Sequence, residues 1–279
     1  MPALLGFCIA LTIALTGVGA GTLTVPLLML FLGVPAPQAV ALGLTFAAAV
    51  KLLLAPAQIA RRAVSWPVLR SMLLGGLPGV LLGSLLLQHL EGDGFRALLQ
   101  AALGLVLILT ASTQILFHFQ PARPQPESPR TRNRLLAALM LPVGTEVGFS
   151  SAGAGALGSA ALLAFSALVP AQIVGTDIVF GAILSLVGAA AHSLPLALHA
   201  PLLLPMLLGG LPGAVAGMLL AIRLPRRPLR LALWLVLLLL GGQLLHSGLG
   251  NRSLPGVPSA SHASLVAPFP TSRAGLHRR

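Results

Sequence analysis

Charge is scarce in this sequence. Only 8% of its 279 residues are charged, where a soluble globular domain carries about 25%, and that scarcity excludes a water-soluble fold. The single cysteine, Cys8, lies in an apolar run; no disulfide framework exists, and redox compartment goes unread. Aromatics make up 4%, so no aromatic-interleaved basic patch is present to stack nucleic-acid bases. There is no H-E-x-x-H, C-x-x-C or G-K-[ST] phosphate loop, and neither an enzyme nor a cofactor is expected. "GFSSAG" (148–153) falls short of a serine-hydrolase motif, and His192 with His199 around Pro195 read as helix-boundary residues rather than a metal pair. No basic leader precedes the first apolar stretch, which therefore reads as retained structure rather than a signal peptide.

What remains is apolar. Hydrophobic residues are 56% of the chain and mean hydropathy is +0.96. Apolar runs follow one another at 3–34, 37–60, 68–90, 95–119, 135–169, 171–194, 201–222 and 229–249. Runs of about 20 residues are bilayer-spanning helices; barrel strands are shorter and alternate. The expectation is an all-α polytopic membrane protein with the lipid bilayer as its surroundings. The net charge of +12 would suggest nucleic acid in a soluble chain. Here the arginines gather between apolar runs, at Arg61 and Arg62, at 123–134 and at 223–230. That is the positive-inside bias of cytoplasmic loops, and no nucleic-acid partner is expected.

The string "LLGGLPG" occurs at 73–79 and again at 207–213. A shift of 134 residues aligns 19–83 on 153–217 without a gap, placing Gln38 on Gln172, Phe46 on Phe180, Pro67 on Pro201 and Gly83 on Gly217. The chain is expected to hold a first repeat at 1–119, a polar basic linker at 120–134, a second repeat at 135–249 and a disordered basic tail at 250–279. Within the repeats, Gly75, Gly79 and Gly83, and Gly209, Gly213 and Gly217, put small residues on one helix face for close helix packing.

Each repeat opens on a segment too long for one crossing: 3–34 and 135–169 would run about 48 and 52 Å as helices against a hydrocarbon core of about 30 Å. Both carry a glycine cluster at mid-length, "TGVGAGTLTVP" (16–26) and "SSAGAGALGSA" (150–160), and both are expected to be broken there. If each is a hairpin followed by three crossings, the arginine-rich loops all fall on one side and the halves are inverted relative to each other. Inverted repeats of this kind belong to secondary transporters that alternate access about a central site.

The glycine clusters free backbone N–H groups at half-helix starts, where the dipole is positive. Gly19, Ala20, Gly21 and Thr22 in one copy, and Gly153, Ala154 and Gly155 in the other, form a candidate anion site; the same glycines also suit a tight hairpin turn. Lys51, the only lysine, lies deep in an apolar span, as do Asp177 and Glu146. Ionisable residues within spans are functional candidates by default. Lys51 either holds an anionic substrate, with Asp177 or Glu146 as the ion-coupling or counter-charge groups, or pairs with one of them as a neutral structural bridge.

These ordered motifs, with "QAVALGL" (38–44), "VGTDI" (174–178) and "IRLP" (222–225), resemble those of the sulfite exporter TauE/SafE family over roughly 5–245. Ala20 departs from a glycine of the family pattern, and Leu42-Gly43 stands where Thr-Ser is usual, leaving Thr176 and Asp177 as the polar pair. The resemblance implies a permease that moves sulfite or a related sulfur oxyanion or organosulfonate across the bacterial inner membrane. A carrier for a neutral or cationic solute, and a non-transporting membrane assembly subunit, are the alternatives.

Overall fold

The computed structural model describes residues 1–16, 20–89, 96–119, 129–151, 155–192, 196–220 and 226–250. These residues form ten helices: α1 (Pro2–Thr16), α2 (Ala20–Leu32), α3 (Ala36–Ala60), α4 (Trp66–His89), α5 (Arg96–Phe119), α6 (Pro129–Ser150), α7 (Ala156–Phe165), α8 (Pro170–Ala191), α9 (Leu196–Leu220) and α10 (Arg226–Gly250). A chain this apolar has no water to satisfy its backbone in a bilayer, and helices satisfy it internally. Stretches within α3, α4, α8 and α9 are long and apolar enough to cross a membrane. Leu74 and Leu208, at equivalent repeat positions, are 74% and 73% exposed, as side chains facing lipid would be. The protein is an all-α polytopic membrane protein.

In the second copy α6 ends at Ser150, at the glycine cluster, where Ser151 takes a left-handed conformation; in the first, residues 17–19 of the cluster lie outside the described residues. α1 and α2 divide 3–34, and α6 and α7 divide the second copy. α7 spans only about 15 Å, well short of the hydrocarbon core. α6 begins at Pro129, so the end of the polar stretch 120–134 is helical. The remainder of that stretch, and the tail beyond Gly250, lie outside the described residues.

The repeated glycines set how the halves meet. A Cβ at Gly75, Gly79 or Gly83 of α4 would overlap the carbonyl oxygens of Ala137, Leu141 and Thr145 on α6. In the other half, a Cβ at Gly209 or Gly213 of α9 would overlap those of Ala3 and Phe7 on α1, and one at Gly217 would lie 2.6 Å from the Leu11 oxygen. Every one of these pairs maps onto its counterpart by the 134-residue shift. Each half therefore docks its glycine-faced helix on the opening helix of the other half, in parallel and at backbone contact, as small-residue faces permit.

Aromatic rings complete the exchange. The buried Phe180 ring lies against Gly76, where a Cβ would meet it at 2.7 Å, and the buried Phe46 ring lies against Gly210, at 2.6 Å. At the centre, α3 and α8 run antiparallel: Leu44 packs by Gly188, Lys51 by Gly181 and Ala63 by Gly175. α5 and α10 are antiparallel too, with Ala101 by Gly248 and Ile108 by Gly241.

Candidate functional site

The antiparallel α3–α8 contact carries two charges into the core. Lys51 is 4% exposed and Asp177 is 3% exposed, and the two act on each other electrostatically. The helical backbone explains the placement. Gly181 lies one turn beyond Asp177 on α8, and the Lys51 Nζ occupies the space where a Cβ of Gly181 would be. A larger residue there would push the ammonium away from α8.

Asp177 is held from its other side by α7. Ser159 Oγ donates to Asp177 Oδ2 at 2.9 Å, and a Cβ at Gly158 would overlap Oδ1. Both residues lie near the start of a helix whose N-cap, Gly155, provides no side-chain cap. The positive end of the helix dipole favours a carboxylate there. Asp177 thus sits between a lysine ammonium and the start of a half-helix.

Its neighbour Thr176 is fully buried, and its Oγ1 accepts the Ser65 N–H at 3.0 Å. A Cβ at Gly175 would overlap the Ala63 carbonyl oxygen. The turn after α3, with exposed Arg61 and Arg62, is thereby pinned to α8 just before Asp177.

Glu146 lies on α6, half-buried, and its Oε1 accepts a hydrogen bond from Thr110 Oγ1 of α5. Thr22 is buried on α2, and Ala20 and Gly21 form that helix's first turn. Gly19, Gly153 and Ala154 lie outside the described residues. Of the residues singled out from sequence, the fold brings Lys51 and Asp177 together, with Thr176 beside them on α8. Ser159, Gly158 and Gly181 complete the arrangement. Ser159 stands within the second glycine-rich stretch, but nothing in its spacing pointed to Asp177. His192 Nδ1 meets the Gly188 carbonyl oxygen at 2.8 Å, and no group of three or more His, Cys, Asp or Glu residues gathers among the described residues.

The site has no charged counterpart in the first half. Gly43 stands where the shift would place an acid, against Val25 and Ser151, and Val25 stands where the second half has Ser159. By the repeat, the acid and the serine that clasps it in the second half correspond to the uncharged Gly43 and Val25 of the first.

The sequence model of the family described as "Sulfite exporter TauE/SafE" matches residues 3–244. Among curated proteins the chain is similar to the "Probable membrane transporter protein YjnA" of Bacillus subtilis (strain 168). The two are 29% identical over 187 residues, which is 63% of this chain and 71% of that protein. No solved structure matches.

Proposed function

The chain belongs to the sulfite exporter TauE/SafE family, and we propose that it moves a small sulfur oxyanion or organosulfonate across the bacterial inner membrane by alternating access about Lys51 and Asp177. That it is a multi-pass membrane transporter follows from the family and the fold. The substrate and the cycle are the proposal. The observation that carries them is the burial of Lys51 and Asp177, acting on each other electrostatically, at the antiparallel crossing of α3 and α8.

A buried ammonium is a compact charge with three donors, suited to an oxyanion. In the paired state Asp177 neutralises it, and a substrate anion has to take that place. Protonation of Asp177 frees Lys51 for the anion and leaves the net charge of the site unchanged when one anion and one proton enter together. Ser159 and the start of α7 hold the Asp177 carboxylate, so loss of its charge also loosens α7 from α8. Binding and helix movement are linked in this way without a separate device. Thr176 keeps α8 in register with the α3–α4 turn. The starts of α2 and α7, at Ala20, Gly21 and Thr22 and at Gly155, offer further N–H donors. Glu146 is the second acid available for ion coupling.

The halves are taken as inverted in the membrane. Support comes from α3 and α8, which are equivalent by the repeat yet run antiparallel, and from the same relation between α5 and α10. Rocking one inverted half against the other exposes a central site to each side in turn.

The test is thermal unfolding of the purified protein in detergent with choline salts of sulfite, thiosulfate, a small organosulfonate, sulfate and chloride at matched ionic strength. A ligand at 100 times its Kd stabilises the native state by about 2.7 kcal/mol. A selective rise with one sulfur anion, absent in Lys51→Met, is expected. A flat response from folded protein would overturn the anion site and favour a neutral or cationic solute, or an assembly subunit if no flux of any solute is found.

A further inference from the structure

The end of α6 has an unexplained feature of its own. α6 ends inside the protein: Ser150 is 2% and Ser151 5% exposed. Ser151 takes the left-handed conformation, φ +61°, which is uncommon for a residue other than glycine, while its N–H donates to the Val147 carbonyl at 2.8 Å. Its hydroxyl lies beside Gly43, where a Cβ would come within 3.1 Å, and has no hydrogen-bond partner among the described residues.

A second hydroxyl shares that condition. Ser84 Oγ of α4 is fully buried and has no partner among the described residues. Ser84 packs against the last turn of α6, its backbone nitrogen 2.7 Å from where a Cβ of Gly148 would be. Buried polar atoms are nearly always satisfied, and each exception calls for an explanation. Two exceptions flank one helix end.

The chemistry of that end decides what would satisfy them. The last carbonyls of a helix have no partners within it, and they form the negative end of its dipole. Hydroxyl and carbonyl oxygens here point to a cation. Among the described residues no carboxylate joins them: the position equivalent to Asp177 is Gly43, and Glu146 is engaged by Thr110. Neutral oxygens alone suit a single positive charge rather than a divalent ion. Half-helix C-termini at mid-membrane are where secondary transporters coordinate sodium.

We infer that the C-terminal turn of α6, with the hydroxyls of Ser151 and Ser84, binds a monovalent alkali cation, sodium. Binding depends on the fold alone, and only its use in transport rests on the cycle proposed above. Its Ser151 hydroxyl lies beside Gly43, the position that the repeat makes equivalent to Asp177.

The experiment is thermal unfolding of the full chain in detergent, with sodium chloride titrated against choline chloride at constant ionic strength and no sulfur anion present. A saturable rise in midpoint with sodium is expected. Ser151→Gly removes the hydroxyl where the backbone favours glycine, so it should hold or raise the midpoint in choline while weakening the sodium response at least tenfold. Ser84→Ala should weaken it as well. Equal midpoints in sodium and choline for the unaltered protein would overturn the inference, as would a full sodium response in both variants. The choline sulfite titration of the same preparation reports separately on Lys51. A sodium response without a sulfite response would sink the anion reading and leave the cation site standing, and the reverse pattern would do the opposite.

Discussion

Removing either charge of the Lys51–Asp177 pair should cost far more than removing both. The two side chains are 4% and 3% exposed, so Asp177→Asn leaves an ammonium in the core with its counter-charge gone. Breaking a buried pair from one side costs about 3–5 kcal/mol. Asparagine keeps an oxygen for Ser159 Oγ, so the loss would be one of charge rather than of that hydrogen bond. Lys51→Met keeps the volume beside Gly181 and leaves the carboxylate with Ser159 and the start of α7, which places it near 3 kcal/mol, the lower end of the same range. The double variant Lys51→Met/Asp177→Asn has no buried charge and should return to within about 1 kcal/mol of the parent, since buried pairs are often replaceable at little cost. The coupling energy from the cycle should reach about 5 kcal/mol, above the usual range of about 0.5–3 kcal/mol for neighbouring residues. For a chain of this size each kcal/mol moves the unfolding midpoint by about 2–4 °C, so detergent melts resolve the cycle. Additive losses would refute the pairing. Flux in proteoliposomes separates structure from function: the double variant should be stable and inactive. Recovery of both stability and flux would make the pair a structural bridge and remove it from the mechanism.

Other predictions test the frame around the site. Gly79→Ala and Gly213→Ala each force a Cβ onto a carbonyl oxygen of the opposite half, Leu141 and Phe7. Each should cost about 1–3 kcal/mol or more, and the two losses should match in parallel melts. Gly242→Ala, with no atom within 4 Å of its new methyl, should instead be neutral or stabilising by up to about 1 kcal/mol; a large loss would contradict the packing described for α10. Thr176→Val strips the acceptor from the Ser65 N–H and should cost about 1–3 kcal/mol. Hydrogen exchange at Ser65 should accelerate with it, and unchanged protection would mean that the bond does not hold the turn. Glu146→Gln keeps an acceptor for Thr110 and should fold as the parent does. If Glu146 carries a coupling proton, flux in that variant loses its response to an imposed pH gradient, and a full response would leave Asp177 as the acid that couples.

Much of the frame was legible in the sequence. Length and hydropathy placed the chain in a bilayer, because a helix of apolar residues must either find a core large enough to hide in or lie in lipid. The break in 135–169 followed from helix rise against bilayer thickness and from glycines at mid-length. The glycines of "LLGGLPG" were readable as a packing face, because four-residue spacing puts them on one side of a helix. Lys51, Asp177 and Glu146 stood out because charge in an apolar span is costly wherever it points.

Which acid meets Lys51 was not readable, for the three lie on helices that are far apart in the chain and no periodicity links them. Only the antiparallel register of α3 and α8 chose Asp177, while α5 took Glu146 through Thr110. The interlocking of the halves, each glycine face docked on the other half's opening helix, was likewise decided by tertiary structure. So were the clasp of Asp177 by Ser159 and Gly158 and the hydroxyls at the end of α6 that lack a partner among the described residues. Composition and spacing govern how each segment partitions and coils, which are local properties. Which side chains meet depends on the steric register between segments, and that exists only once the helices have packed.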